Sequence, residues 1–120
     1  MRDRMRGQLD KSKEGLFDLK QGSGGIVDIE FMVQYGVLAY AHEFPELRTW
    51  TDNIRLLMVM AASGVMTSAQ VEALTEAYKT YRGRLHRLKL DEQAGMVEDT
   101  EYKELRESVI QIWNEWMLTE

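Results

Sequence analysis

Phe17-Asp-Leu-Lys-Gln-Gly-Ser-Gly-Gly-Ile-Val-Asp-Ile-Glu-Phe31 brings three chemistries together: a short apolar/polar alternation that ends in a lysine, a glycine-rich turn, and a helix that opens with two carboxylates. Gly22, Gly24 and Gly25 permit positive φ and close approach of a ligand to the backbone, and the first N–H groups of the following helix are expected to be open donors for an anion. Lys20 adds a mobile positive charge. The turn lacks the Gly-Lys-Ser/Thr ending of a P-loop and the spacing of a dinucleotide fingerprint. The pattern alone therefore leaves two readings open, a phosphate site and an ordinary strand-to-helix turn.

Working outward, the chain has 120 residues, 44% of them hydrophobic, enough to bury one core, so a single domain over residues 1–120 is predicted. It has no cysteine, which excludes a disulfide framework and a thiolate zinc site. A net charge of -5 argues against a general nucleic-acid-binding surface. No apolar run is long enough to span a bilayer and no signal-peptide core follows Met1, so no membrane contact and a cytoplasmic location are expected. The charged opening suits the end of an entering helix over residues 1–16, stopped at Gly15, and suggests a piece of something longer.

The fold is predicted to be all-α: a bundle of about four main helices over residues 26–120, with one short extended segment near the N-terminus inside the signature turn of residues 17–31. That segment, Phe17 to Lys20, needs a partner strand that the sequence does not visibly supply. Apolar residues at Ile29, Val33, Val37, Tyr40 and Phe44 predict a central helix from Ile26 to about Glu43, ended by Pro45. Thr51 or Asp52 is expected to cap a short, nearly all-apolar helix closed by Ser63-Gly64. Thr67 or Ser68 should cap the next, whose seam is Val71, Leu74, Tyr78, Tyr81, Leu85 and Leu88. Lys79, Arg82, His86 and Lys89 fall beside that seam within about 80°, as a solvated face or an anion- or partner-facing strip. After a break at Gly95, a last helix from about Asp99 to Met117 carries Tyr102, Leu105, Val109, Ile112 and Trp116, with Trp113 and Trp116 read as packing residues.

Asp28 and Glu30 point about 200° apart on a regular helix and cannot share one metal ion. For Asp28 two readings stand side by side, a first-turn carboxylate favoured by the helix dipole and a substrate-facing group. Glu30, on an otherwise apolar helix, should be partly buried and paired with a cation, Arg82 being one candidate. His86 has no second histidine at ligand spacing, and no metal site is assigned.

The segment Phe17-Asp-Leu-Lys through Gly24-Gly-Ile-Val-Asp-Ile-Glu-Phe31, followed by Val33-Gln-Tyr, resembles the signature of glutamine synthetase adenylyltransferases. Tyr40-Ala-His-Glu-x-Pro-x-Leu, Trp50-Thr-Asp-Asn-Ile-Arg, Ala77-Tyr-x-x-x-Arg-x-x-Leu-His and Trp113-x-x-Trp look like the C-terminal helical region of the same family. The resemblance implies a parent with two nucleotidyltransferase halves, this chain being the helical lobe of the adenylylating one. It implies Mg2+ and ATP in the parent, with the metal-binding carboxylates and all catalytic residues in an upstream nucleotidyltransferase domain of the same chain and none here. The implied partners are glutamine synthetase, whose tyrosine hydroxyl would attack the α-phosphate of ATP, and a nitrogen-signalling regulatory protein. The signature carries over as nucleotide- or phosphate-proximal Lys20, Gly24, Gly25, Asp28 and Glu30. The alternative is a structural and regulatory module that relays signal-protein binding without touching nucleotide.

Overall fold

A computed structural model describes residues 15–48 and 52–117. Residues 1–14 of the expected entering helix, Trp50 and Thr51 lie outside them, while Leu16, placed at the end of that helix by the sequence, is in a strand. In chain order come β1 (Leu16–Asp18), α1 (Ile26–Tyr40), a short 3-10 turn (Pro45–Arg48), α2 (Asn53–Ala62), α3 (Ser68–Leu90), β2 (Met96–Glu98) and α4 (Lys103–Met117). The predicted helical bundle of four main helices is thus the observed architecture.

The caps explain the helix starts. Asp52 Oδ1 accepts from the amides of Ile54 at 2.8 Å and Arg55 at 3.4 Å, which satisfies two donors at the head of α2. Thr67 and Gln70 form a reciprocal capping box at the head of α3, 3.1 and 3.0 Å long. Gly64, at φ +76°, closes α2 in the left-handed region that glycine tolerates best.

The strand segment has its partner within the chain. β1 pairs antiparallel with β2, Phe17 opposite Val97, and the Leu19 amide donates to Gly95 O at 3.0 Å. The helical period predicts only a break at Gly95 and a helix from about Asp99. That helix starts instead at Lys103, because the Asp99 amide is spent on Gly15 O at 3.1 Å and extends the ladder. Three residues are too few for a period-2 pattern to show, so β2 was invisible to periodicity.

α1 is the central element, packed against α2, α3, α4 and the 3-10 turn, with Ile29, Met32 and Val33 fully buried. Its exposed face is nonetheless apolar at Leu38, 86% accessible. The helix ends at Tyr40 rather than Glu43, its last turn tightening ahead of Pro45. α2 is buried through Leu56, Leu57 and Met60, while Met58 faces outward. The α3 seam is buried at every predicted position except Leu85, which is half-buried. On α4, Val109 and Ile112 are buried, and both tryptophans pack: Trp113 meets Phe31 at 5.7 Å and Trp116 meets Tyr35 edge-on at 5.3 Å between ring centroids.

Tyr81 joins the sheet to α4, its ring 5.8 Å from both Phe17 and Tyr102. It is 0% exposed and its hydroxyl has no hydrogen-bond partner among the described residues. Burial pushes its pKa well above the ordinary tyrosine value, with the Arg106 charge pulling the other way. Above about pH 10 the unfolded chain therefore releases this proton while the folded chain keeps it, and stability falls as pH rises. Each pH unit in that window costs up to about 1.4 kcal/mol. Urea midpoints followed upward from about pH 9 should decline, and Tyr81→Phe should flatten the decline; equal slopes in both proteins would remove Tyr81 as its cause.

Candidate functional site

The turn after β1 is built by its own polar groups. Asp18 Oδ1 accepts from the amides of Lys20 at 3.0 Å and Gln21 at 3.1 Å, and Asp18 O accepts from Gly22 N at 2.9 Å. The chain folds back so tightly that a Cβ on Gly22 would lie 2.6 Å from Asp18 O, and one on Gly25 2.6 Å from Leu19 O. Of the three glycines only Gly24 has a positive φ, +80°, and a Cβ there would also lie 2.9 Å from Arg106 O on α4. Close approach of the chain to itself, rather than of a ligand, accounts for all three.

The amides that were expected to be open are occupied. Gly25 N donates to Gly22 O, Ile26 N to Leu19 O and Val27 N to Lys20 O, at 2.9, 2.9 and 3.0 Å, while Gly24 N donates to Asp28 Oδ2 at 2.8 Å. The head of α1 is therefore satisfied by the turn that precedes it, and no row of N–H groups faces outward for a phosphate. Asp28 is 2% exposed and reaches back to hold the turn, which matches its first-turn reading rather than the substrate-facing one. On the far side, Arg106 clamps the turn: its guanidinium carbon lies 3.9 Å from the Phe17 ring centroid and its Nε donates to Ser23 O at 3.4 Å.

Lys20 stands exposed at the rim, and here the structure joins two features that the sequence kept apart. Lys20, Ile26 and Glu30 form one wall of an open cleft of about 280 Å3; Arg82, Leu85, His86 and Lys89 of α3 form the other. Lys20, Leu85 and Lys89 also border a neighbouring concavity of about 390 Å3 that extends to Gly95 and Met96. Three permanent cations and a histidine thus converge around one carboxylate. The side chains, not the backbone, make this region electropositive.

Glu30 is half-buried, as expected, but its link to Arg82 runs through a tyrosine. The Tyr78 hydroxyl donates to Glu30 Oε2 at 3.3 Å and accepts from Arg82 Nη1 at 3.3 Å and Asn53 Nδ2 at 3.1 Å. The Arg82 guanidinium carbon sits 5.5 Å from the Tyr78 ring centroid, along the same helix face. One hydroxyl therefore ties α1, α2 and α3 together beneath the cleft. Sequence reasoning took Tyr78 for seam packing alone; its placement one turn before Arg82 was the available signal.

Lys20, Gly24, Gly25, Asp28 and Glu30 lie together, yet only Lys20 and Glu30 line the cleft. Among the described residues no group of three or more His, Cys, Asp or Glu could hold a metal ion. Asp28 and Glu30 do not fit a magnesium site, since one is buried in the turn and the other is bonded to Tyr78.

A family model described as GlnD PII-uridylyltransferase matches residues 1–94. The chain belongs to that family. It is also 48% identical over 114 residues to the bifunctional glutamine synthetase adenylyltransferase/adenylyl-removing enzyme of Nitrosococcus oceani, as the sequence resemblance implied. The match covers 95% of this chain but 12% of that relative, so the chain spans about an eighth of the relative's length. The family match takes in the turn and both cleft walls and stops before α4, which supplies the Arg106 clamp.

Tyr78→Phe removes the shared hydroxyl and leaves Asn53 Nδ2 and Glu30 without their common partner. A loss of about 1 to 2 kcal/mol in urea denaturation is expected, with an unchanged m-value. Wild-type stability in that variant would show that the hydroxyl ties nothing together.

Proposed function

We propose that this chain is the C-terminal helical lobe of a bifunctional glutamine synthetase adenylyltransferase/adenylyl-removing enzyme, and that its Lys20 cleft meets the phosphates of ATP. The observation that carries this reading is the convergence of Lys20 with Arg82, His86 and Lys89 across one open cleft, on a chain whose net charge is -5. In the reaction, the hydroxyl oxygen of a glutamine synthetase tyrosine bonds to the α-phosphorus of ATP, the bond to the β-phosphate bridge breaks, and pyrophosphate leaves. Lys20, Arg82 and Lys89 would stabilise the charge that builds on the departing phosphates, through charge-assisted hydrogen bonds that strengthen in the transition state. Glu30, held by Tyr78, keeps Arg82 oriented. The metal-binding carboxylates belong to the upstream nucleotidyltransferase domain of the longer protein, so this lobe alone should transfer no AMP. The setting is cytoplasmic nitrogen control; no described helix is long and apolar enough to cross a membrane.

A second reading makes the lobe a regulatory relay that responds to a nitrogen-signalling protein without touching nucleotide. The internally satisfied amides of the turn favour it. Lys20 separates the two, because it is exposed and its removal should leave folding intact. On the nucleotide reading, Lys20→Ala in the full-length enzyme lowers basal adenylylation by about a hundredfold, the scale of losing one such donor. A basal rate unchanged by Lys20→Ala, with only the effector response altered, would sink the active-site assignment.

A further inference from the structure

From Ala77 to Leu90, α3 carries Lys79, Arg82, Arg84, Arg87 and Lys89 with His86 and no carboxylate. Arg84 turns aside to Glu101, 3.6 Å away. Lys79, Arg82, His86 and Lys89 instead follow one another at intervals of three and four along one exposed face, and Lys79 and Arg82 are like charges three residues apart, a pairing that weakens a helix unless something outside compensates it. No ion pair within the described residues neutralises Lys20, Lys79 or Lys89. The strip is fenced at both ends by acids, Glu72 and Glu76 before it and Asp91 and Glu92 after it. From Lys79 to Lys89 the strip is about 15 Å long.

The phosphate cleft takes Arg82, His86 and Lys89 at one end of the strip and leaves out Lys79. At the other, a second open concavity of about 510 Å3 is lined by Asp52, Asn53, Ile54, Tyr78, Lys79 and Arg82, and it adjoins the first through Arg82. Its wall combines a side-chain amide, a half-exposed isoleucine and two cations. The Asp52 carboxylate, on the same wall, caps α2 through Oδ1.

We propose that the Lys79–Arg82 end of the strip docks an acidic peptide segment of the protein that is modified, laid along α3 beside the phosphate cleft. Lys79 pairs with its carboxylates, and the half-exposed Ile54 meets an apolar side chain. The acidic fences repel any longer polyanion, which argues for a short peptide and against nucleic acid. Electrostatic docking of this type sets association and specificity and is weakened by salt. The assignment of the segment to the modified protein rests on the proposed function; the binding of an acidic peptide does not.

The test uses the full-length enzyme and a fluorescent peptide that carries one tyrosine among glutamates, with a lysine-substituted peptide as control. Anisotropy should show binding of the acidic peptide alone, weakened as salt rises from about 50 to about 200 mM. Lys79→Glu should weaken it about tenfold or more while the KM for ATP stays within about twofold, and Lys79→Arg should keep most of the affinity. Peptide binding indifferent to Lys79→Glu would overturn the proposal. So would an equal rise in the KM for ATP, which would give the strip to the nucleotide, or displacement of the peptide by single-stranded RNA of equal charge. Lys20→Ala keeps the two ideas distinguishable: a loss of peptide binding in Lys79→Glu beside an undiminished basal rate in Lys20→Ala would uphold the docking strip and reject only the nucleotide reading.

Discussion

Everything near the candidate site depends on one hydrogen bond between a buried carboxylate and a backbone amide, Asp28 Oδ2 to Gly24 N at 2.8 Å. It fixes the one left-handed residue of the turn against the first turn of α1 and places a negative group where the helix dipole favours it. With the turn closed in this way, the carbonyls of Leu19, Lys20 and Gly22 reach the amides that begin α1. A buried amide without a partner costs more than a bond repays, so the turn and the helix head form as one unit or not at all. Gly95, just before β2, holds this unit on one side and Arg106 on the other.

The consequence for binding is a division of labour. The backbone of the glycine turn is consumed in folding, and charge recognition falls to side chains that converge from separate elements. Lys20 is presented by the turn; Arg82, His86 and Lys89 are presented by α3. Tyr78 secures Arg82 alone among them, linking it to Glu30 and Asn53 through one oxygen. An anion entering this cleft would meet exposed lysines beside an anchored arginine, which suits ligands that arrive and leave rather than one held permanently.

Much of the fold was legible because helices announce themselves in period and caps. The α3 seam from Val71 to Leu88, the Thr67 cap, the Ser63-Gly64 stop and the packing role of both tryptophans were all readable. β2 was not, since its three residues have no pattern of their own and exist as a strand only because Phe17 lies opposite Val97. The glycines were legible as special but not in their reason: sequence shows that Cβ atoms are absent, not whether ligand or chain occupies the space. Likewise the basic stripe of α3 was visible by helical arithmetic, while its meeting with Lys20 depends on the packing of α1 against α3, which no local spacing encodes.

The central claim, that the head of α1 is satisfied by its own turn and anions are met by side chains, is open to amide hydrogen exchange on the 120-residue chain with and without tripolyphosphate. The account expects the amides of Gly24, Gly25, Ile26 and Val27 to be protected already without the anion, and their protection to stay unchanged when it is added. Rapid exchange of Ile26 and Val27 in the bare chain, slowed only by tripolyphosphate, would contradict it and return the glycine turn to the role of a phosphate cradle.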